Sequence, residues 1–296
     1  MNILDQLAAH ARERVEQAKS MLPLADIRRQ ALSLPKGDFP FEETLRREPF
    51  SLICECKRAS PSKGLIAPHF PYLQIALEYE AAGAQALSVL TEPKWFLGSD
   101  QYLAEIAAAV HIPCLRKDFT VDAYMLYQAK LLGASAVLLI CSLLDGAQLR
   151  DYLAICDELG LSALVEVHEE QEIPMALEAG ARIIGVNNRN LKDFTVDTGH
   201  SRRLRTMVPE HILFVAESGV RNAQDVARLR AEGANAVLVG EALMRSAHKA
   251  ALLAEIRGSS EKQGSLDVQG GPDMWDSLDV QDSPEMHGRL EMRNSL

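Results

Sequence analysis

Two lysines and three glutamates stand at or near the ends of short apolar runs, where ionisable side chains are costly to bury. They are Lys57, Lys117, Glu55, Glu166 and Glu217. Lysine and glutamate in a partly dry cavity shift each other's proton affinities, and general acid–base catalysis depends on such shifts. If the five side chains meet, they predict an acid–base site. Separate ion pairs at strand ends are the alternative interpretation.

Strand alternation places these side chains on one side of the sheet. Glu55 and Lys57 share a face, whereas Cys54 and Cys56 lie on the opposite face, against helices. The two cysteines are therefore expected to be buried packing residues and not a metal-binding pair. By the same alternation Glu217 is in phase with Val215, Glu166 with Leu164 and Asn187 with Gly185.

A repeated pattern indicates the elements that must position these residues. A helical stretch ends at glycine, a small residue or two follow, and a short apolar run comes next. The copies are AAGAQALSVL (81–90), LLGASAVLLI (131–140), EAGARIIGV (178–186) and AEGANAVLV (231–239). Uncharged runs of this length are typical of strands buried on both faces. Strands are predicted to begin near Leu52, Ala86, Ile112, Ala136, Ala163, Ile183, Ile212 and Ala236.

Eight strands alternating with helices over about 210 residues predict an α/β fold, a (β/α)8 TIM barrel. A doubly wound open sheet also alternates strands and helices, but no GxGxxG follows the first strand. Active sites of barrels lie at the carboxyl ends of the strands. The charged strand ends are therefore expected to meet at one end of the barrel, called the barrel mouth below.

Two glycine-containing loops suggest a phosphate site at the same end. Ser218 and Gly219 follow the seventh strand, and Gly240 and Glu241 follow the eighth. Exposed backbone N–H groups and a helix N-terminus favour an anion, and barrels often bind phosphate between these two loops. Ser60, in the turn after the first strand, is predicted to close the site from the other side.

Aromatic and histidine residues near the strand ends give weaker evidence for a role in the site. Trp95, Phe96 and Phe119 fall in loops after the second and third strands and suit an apolar wall for an aromatic ring, with core packing as the alternative. His168 is in phase with Glu166 and could reach the barrel mouth, but a solvated loop residue is the favoured interpretation. No histidine has metal-ligand spacing, and no Ser–His–Asp set or P-loop is present.

Three regions are predicted along the chain. Residues 1–47 form an N-terminal helical extension packed on the barrel, with amphipathic stretches at the start and over 24–34. Residues 48–258 form the catalytic barrel. Residues 259–296 hold eight acids, three bases and an imperfect repeat, SLDVQGGPDMWD and SLDVQDSPEMHG, and are predicted to be a disordered acidic tail. A partner-binding segment that uses Trp275 is the alternative.

Composition limits the function classes. The net charge of -10 argues against a broad nucleic-acid surface, and no apolar run reaches the roughly 20 residues of a membrane helix. Five cysteines with no secretory signal indicate reduced thiols and a cytoplasmic location. The sequence does not decide the oligomeric state, with a monomer slightly favoured.

Seven motifs together resemble the indole-3-glycerol phosphate synthase family. They are ECKRASPSKG, LTEPKWFLGS, LRKDF, LVEVH, GVNNRNL, VAESGV and VGEALMR, in this order and spacing. The resemblance covers about residues 1–257 and includes the N-terminal helical extension. It implies ring closure of 1-(2-carboxyphenylamino)-1-deoxyribulose 5-phosphate to an indole with loss of CO₂ and water, without a metal or organic cofactor. The acidic tail is outside the resemblance.

The resemblance also implies roles for individual residues. Lys117 matches the general acid on the substrate carbonyl, Glu166 the acid–base partner in dehydration, and Lys57 the second lysine. Glu55 and Glu217 match carboxylates that hold the lysines and the substrate hydroxyls.

Further matches concern substrate binding. Asn187 and Arg189 match residues that grip the substrate near the closing ring, and Phe96 and Phe119 match aromatics that contact the ring. The phosphate pocket corresponds to Ser60, Ser218, Gly219 and Gly240. Glu241 stands where serine is frequent, so only its backbone is assigned to phosphate.

Two rival functions remain open at this point. One is another phosphate-binding barrel enzyme, such as a Schiff-base aldolase using Lys57 or Lys117, or a sugar-phosphate isomerase. The other is a barrel that serves as a non-catalytic scaffold, with its tail as the working part.

Overall fold

The computed structural model describes residues 2–190 and 194–258, and within them eight parallel strands form a closed barrel. The strands are β1 (Ser51–Cys56), β2 (Ala86–Leu90), β3 (Cys114–Lys117), β4 (Ala136–Ile140), β5 (Ser162–Val167), β6 (Ile183–Asn187), β7 (Leu213–Glu217) and β8 (Ala236–Val239). Each strand pairs with its neighbours in chain order, and β8 closes onto β1 with Ala236 opposite Ser51. The predicted (β/α)8 barrel is confirmed.

The repeated sequence pattern accounts for this alternation. The glycine of each copy has a left-handed backbone, with φ between 80° at Gly133 and 96° at Gly180, and it ends the preceding helix. The apolar run that follows is a strand, and β2, β4 and β8 are buried along their whole length. All eight strands begin within two residues of the predicted positions.

Three helices precede the barrel: α1 (Ile3–Met21), α2 (Leu24–Ser33) and α3 (Pro40–Arg47). Asn2 and Asp5 form a capping box that starts α1. The two amphipathic stretches seen in the sequence correspond to α1 and α2. The third helix, α3, is short and buries only Phe41, Leu45 and Glu42, a pattern too brief for periodicity to reveal.

The remaining helices surround the barrel. They are α4 (Tyr72–Ala81), α5 (Asp100–Ala109), α6 (Tyr124–Leu131), α7 (Gly146–Leu159), α8 (Glu172–Ala179), α9 (His200–Arg205), α10 (Ala223–Ala231), α11 (Glu241–Arg245) and α12 (Lys249–Ile256). A short hairpin, Ala59–Ser60 with Gly64–Leu65, follows β1. The predicted acidic tail, 259–296, lies outside the described residues.

Candidate active site

The carboxyl ends of the strands surround a cavity of about 630 Å³. All the residues to which the family resemblance assigned a role line it: Glu55, Lys57, Ser60, Phe96, Lys117, Phe119, Glu166, Asn187, Arg189, Glu217, Ser218, Gly219, Gly240 and Glu241. Apolar side chains from the barrel interior, including Leu138 and Ile140, line it as well. Closure of the barrel therefore brings residues from all eight strands and their loops into one concave site.

A lysine between two carboxylates is the central feature of this cavity. Lys117 ends β3, and its Nζ donates to Oε2 of Glu217 over 2.7 Å and to Oε2 of Glu166 over 3.1 Å. Both carboxylates are 2% exposed as residues. Gly185 on β6 makes room for this arrangement, because a Cβ there would collide with Oε1 of Glu217.

Burial and neighbouring charge set the protonation of this triad. Burial would lower the pKa of Lys117, but Glu166, Glu217 and Glu55 outweigh burial and raise it. Burial would raise the pKa of Glu166, yet Lys117 and His168 hold it below its ordinary value. Burial raises the pKa of Glu217, and the charge of Glu166 raises it further. Lys117 acts in the opposite direction but does not outweigh them. Glu217 therefore retains a proton to higher pH than Glu166.

A second lysine–carboxylate pair stands beside the triad. Lys57 Nζ donates to Oε1 of Glu55 over 2.5 Å, and Ser88 Oγ donates to Oε2 of the same carboxylate over 3.4 Å. A Cβ at residue 240 would collide with Glu55 and lie close to the Lys57 ammonium. The glycine at position 240 thus allows β1 and the loop after β8 to approach each other.

Asn187 and Ser218 join the ends of β6 and β7. Ser218 Oγ donates to Oδ1 of Asn187 over 2.9 Å, and the Arg189 N–H donates to the same oxygen over 3.0 Å. Ser218 has a φ of 66°, a left-handed conformation that is uncommon for serine, and Gly219 follows with a φ of 91°. Two consecutive left-handed residues turn the chain sharply at the cavity edge.

Glu241 faces the cavity with its side chain as well as its backbone. Its carboxylate lies 3.5 Å from Lys63 Nζ, 3.5 Å from Arg189 Nη2 and 3.3 Å from Arg245 Nε. The three cations come from the loop after β1, the loop after β6 and α11. Ser60, whose Oγ is 3.5 Å from that of Ser62, lines the cavity with Lys63. Arg189 thus lies beside Glu241, next to the loops predicted to bind phosphate.

Two phenylalanines, called the aromatic pair below, line the cavity. The ring centroids of Phe96 and Phe119 are 6.0 Å apart with a tilt of 41°. The third predicted aromatic, Trp95, does not line the cavity. Its ring packs edge-on against His10 of α1 at 5.5 Å, so the prediction that it contributes to the apolar wall was wrong.

His168 is also placed differently from the prediction. Its side chain is only 14% exposed, and its Nε2 lies 3.3 Å from Oε1 of Glu166. The residue follows β5 directly and shares the phase of Glu166, so the chain turns it toward the carboxylate and away from solvent.

Several cavity residues were missed by sequence reasoning. Ile3 and Leu7 of α1 line it, as do Lys63, Phe194 and Arg245. Arg245 could have been found from its i, i+4 spacing to Glu241, which places both on one helix face. The helical spacing of α1 was visible, but nothing local indicates that this helix contacts the barrel mouth.

In ranges 2–190 and 194–258, no group of three or more His, Cys, Asp or Glu side chains could hold a metal ion. Within the same part of the chain, no helix has the length and apolar character needed to span a bilayer. All five cysteines are buried and unpaired.

The family model and the relatives of this chain indicate the same sequence family. The family model described as indole-3-glycerol phosphate synthase matches residues 4–256. An indole-3-glycerol phosphate synthase of Ruminiclostridium cellulolyticum is 55% identical over 259 residues, 87% of this chain and 100% of the relative. One of Endomicrobium trichonymphae is 50% identical over 256 residues, 86% of this chain and 99% of the relative.

Among solved structures, a thiamine phosphate pyrophosphorylase from Pyrococcus furiosus superposes with a TM-score of 0.55 at 17% identity. The alignment covers 72% of this chain and 96% of that one. At this identity the likeness shows the barrel fold alone.

Proposed function

The chain belongs to the indole-3-glycerol phosphate synthase family, and on that premise we propose which of its residues perform each part of the reaction. The enzyme is a carboxy-lyase of tryptophan biosynthesis. It closes 1-(2-carboxyphenylamino)-1-deoxyribulose 5-phosphate to indole-3-glycerol phosphate with loss of CO₂ and water.

Lys117 is the general acid of the ring-closing step. As the ring carbon that bears the carboxylate attacks the ketone carbon, the carbonyl oxygen gains negative charge and takes a proton from the Lys117 ammonium. The raised pKa of Lys117 keeps it protonated until such a strongly basic oxygen develops. Breaking the bond to the carboxylate then releases CO₂, and its electron pair restores the aromatic ring.

Glu166 acts in the dehydration that follows. Glu166 accepts a proton from the CH₂ group beside the nitrogen, the indole double bond forms as the C–O bond breaks, and the departing hydroxide takes that proton from Glu166 and leaves as water. Glu166 is ionised at neutral pH by its contact with Lys117 and is therefore the base of the pair. Glu217, which retains its proton to higher pH, orients Lys117 through the 2.7 Å hydrogen bond.

The second lysine and its neighbours bind the substrate around the reacting atoms. Lys57, held by Glu55 at 2.5 Å, offers a positive charge for the substrate carboxylate and can share acid duty with Lys117. Asn187 is fixed by Ser218 and contacts the substrate near the closing ring. The aromatic pair, Phe96 and Phe119, packs against the anthranilate ring.

The loops after β7 and β8 bind the phosphate. Backbone N–H groups of Ser218, Gly219, Gly240 and Glu241 are the donors, with Ser60 opposite them. The resemblance predicts that Arg189 grips the substrate near the closing ring. Because its Nη2 lies 3.5 Å from the Glu241 carboxylate, we propose instead that its positive charge acts at the phosphate end of the cavity. The proposal thus gives the elongated substrate a phosphate end and a ring end, with Lys117 between them.

The observation that carries these roles is the placement of Lys117 between Glu166 and Glu217. Incubation with the ribulose phosphate should produce indole fluorescence without a lysine adduct. If borohydride traps a substrate adduct on Lys57 or Lys117 and no indole forms, a Schiff-base aldolase replaces this proposal. A barrel that binds the substrate without converting it would be a scaffold.

We also propose that the enzyme is a cytoplasmic monomer. All residues assigned to the site come from one chain, and five free thiols are typical of a reducing compartment. Sedimentation equilibrium and cell fractionation test the two parts separately. A dimeric mass, or a pool outside the cytoplasm, would contradict the respective part.

A further inference from the structure

One face of α1 is directed at the barrel mouth. Ile3, Leu7, His10 and Arg14 follow one another at intervals of four, three and four residues, which places them on a single helix face. Ile3 and Leu7 line the cavity. His10 and Arg14, one and two turns further along, reach two buried carboxylates next to it.

The first carboxylate is Asp118, which directly follows Lys117. Arg14 grips it with two hydrogen bonds, Nη2 to Oδ1 at 2.7 Å and Nη1 to Oδ2 at 3.1 Å. Asp118 is 1% exposed, and it also accepts from Thr91 Oγ1 at 2.7 Å and from the Phe119 N–H at 2.8 Å. A bidentate guanidinium pair of this kind fixes direction as well as distance.

Asp118 lies between two residues of the proposed site. Lys117 is the proposed acid, and Phe119 is half of the aromatic pair. A rotation of the Asp118 side chain would release the Phe119 N–H and the Thr91 hydroxyl together. Without Arg14, the buried Asp118 carboxylate would lose its two charge-assisted hydrogen bonds and keep the longer contact to Arg116 Nη2 at 3.7 Å, so α1 would no longer fix its orientation.

The second carboxylate, Glu92, organises the other half of the aromatic pair. Its side chain is fully buried and accepts the backbone N–H groups of Lys94, Trp95 and Phe96 at 2.7–3.0 Å. His10 Nδ1 lies 3.2 Å from Oε1 of this carboxylate. Glu92 thus shapes the loop that presents Phe96, and α1 contacts it.

We propose that α1 is a positioning element of the active site, in which Arg14, acting through Asp118, holds Lys117 and Phe119 in their working orientation. His10 supports Phe96 in the same way through Glu92. This inference rests on the roles proposed above for Lys117 and the aromatic pair. Neither Arg14 nor His10 lines the cavity, so both act through another residue.

Lys19 provides a matched control on the same helix. Its Nζ lies 2.7 Å from Asp122, so it too joins α1 to the segment after β3 by an ion pair. That pair is partly exposed, with side-chain exposures of 27% and 29%, and neither residue contacts the cavity. Lys19→Met removes an attachment of α1 without touching Asp118.

The test compares Arg14→Met and Lys19→Met by kcat, KM and the affinity for inorganic phosphate. We expect Arg14→Met to lower kcat at least ~10-fold, since small misplacements of reacting groups have effects of this size. Its phosphate affinity should stay close to wild type, because the loops after β7 and β8 are not held by Arg14. Lys19→Met should retain the kcat of the wild type.

Two results would overturn the proposal: equal kcat for Arg14→Met and Lys19→Met, or a parallel loss of kcat and phosphate affinity in Arg14→Met. If Arg14→Met does not fold, Arg14→Lys keeps the charge but not the bidentate grip, and a wild-type kcat in that variant would contradict the inference. Asp118→Asn combined with Arg14→Lys should cost little more than either change alone. Failure of the Lys117 role would instead appear as turnover in Lys117→Ala.

Discussion

Lys117 and Glu217 form a 2.7 Å hydrogen bond although one hundred residues of chain separate them. The two residues end strands on different sides of the barrel, β3 and β7, and they meet because both side chains point inward at the same end. Glu166, from β5, completes the contact at 3.1 Å. The protonation states of Lys117, Glu166 and Glu217 therefore depend on closure of the whole barrel, because closure brings these side chains together.

The raised pKa of Glu217 predicts a pH-dependent contribution to stability. Folding raises this pKa from an unfolded value of about 4.5, because the carboxyl is buried beside Glu166. Such a group stabilises the fold most below the unfolded pKa and loses that contribution as pH rises through the folded pKa. The unfolding free energy of the wild type, relative to Glu217→Gln, should therefore fall between about pH 5 and about pH 8. Denaturant titrations in which this difference is constant or rises with pH would contradict the assignment.

Gly185 is predicted to be required for catalysis through Glu217. A Cβ at this position would collide with Glu217 Oε1 and press on Leu164, so Gly185→Ala must displace the carboxylate. We expect kcat to fall at least ~10-fold. Gly146→Ala is the control, since a Cβ there meets only Met175 at an ordinary 3.5 Å. If steady-state kinetics give the same kcat for Gly185→Ala and Gly146→Ala, the exact placement of the Glu217 carboxylate is unimportant for catalysis.

Glu241 is predicted to weaken phosphate binding. Its carboxylate occupies the space among Lys63, Arg189 and Arg245, and these cations would otherwise face the incoming phosphate. Because the pairs are partly exposed, the effect should be modest: Glu241→Gln should lower KM and the Kd for inorganic phosphate about 2- to 5-fold. Glu255→Gln, on the exposed side of α12, is the control. Weaker phosphate binding in Glu241→Gln would mean that the carboxylate organises the cations instead.

Removal of residues 259–296 is predicted to leave the enzyme intact. The family match ends at residue 256, and within the described residues the last one that lines the cavity is Arg245. A chain ending at Gly258 should keep its turnover and thermal midpoint close to those of the full chain. Calorimetry measures the thermal midpoint of both chains, and an indole fluorescence assay measures their turnover. A large loss of either property in the shorter chain would show that the tail docks on the barrel.

The barrel was predictable because its signal is local and repeated. Five of the eight strands, β2, β4, β5, β6 and β8, follow a helix-ending glycine and are mostly apolar, so both ends of these strands can be predicted from the local sequence alone. The face that Glu166 or Glu55 presents follows from strand alternation, and barrel geometry then gathers these side chains at one end.

The remaining features depend on contacts between distant segments. Arg14 and Asp118 are 104 residues apart, and an amphipathic helix pattern does not tell which surface the helix covers. Trp95 looked like its neighbour Phe96, but the turn imposed by Glu92 directs it to His10. The shared phase of His168 and Glu166 is visible in the sequence, but whether His168 faces this carboxylate or solvent depends on the direction of the loop after β5, which only the fold supplies.

The most direct test of the account is the turnover of Lys117→Ala and Glu166→Gln, followed by indole fluorescence with the ribulose phosphate as substrate. Lys130→Ala, which alters a half-buried lysine on α6 away from the cavity, is the control. We predict that the two site variants each lose at least ~100-fold in kcat, the contribution of a positioned acid or base, while the control does not. Near-normal turnover in Lys117→Ala would show that this lysine is not the acid of the ring closure.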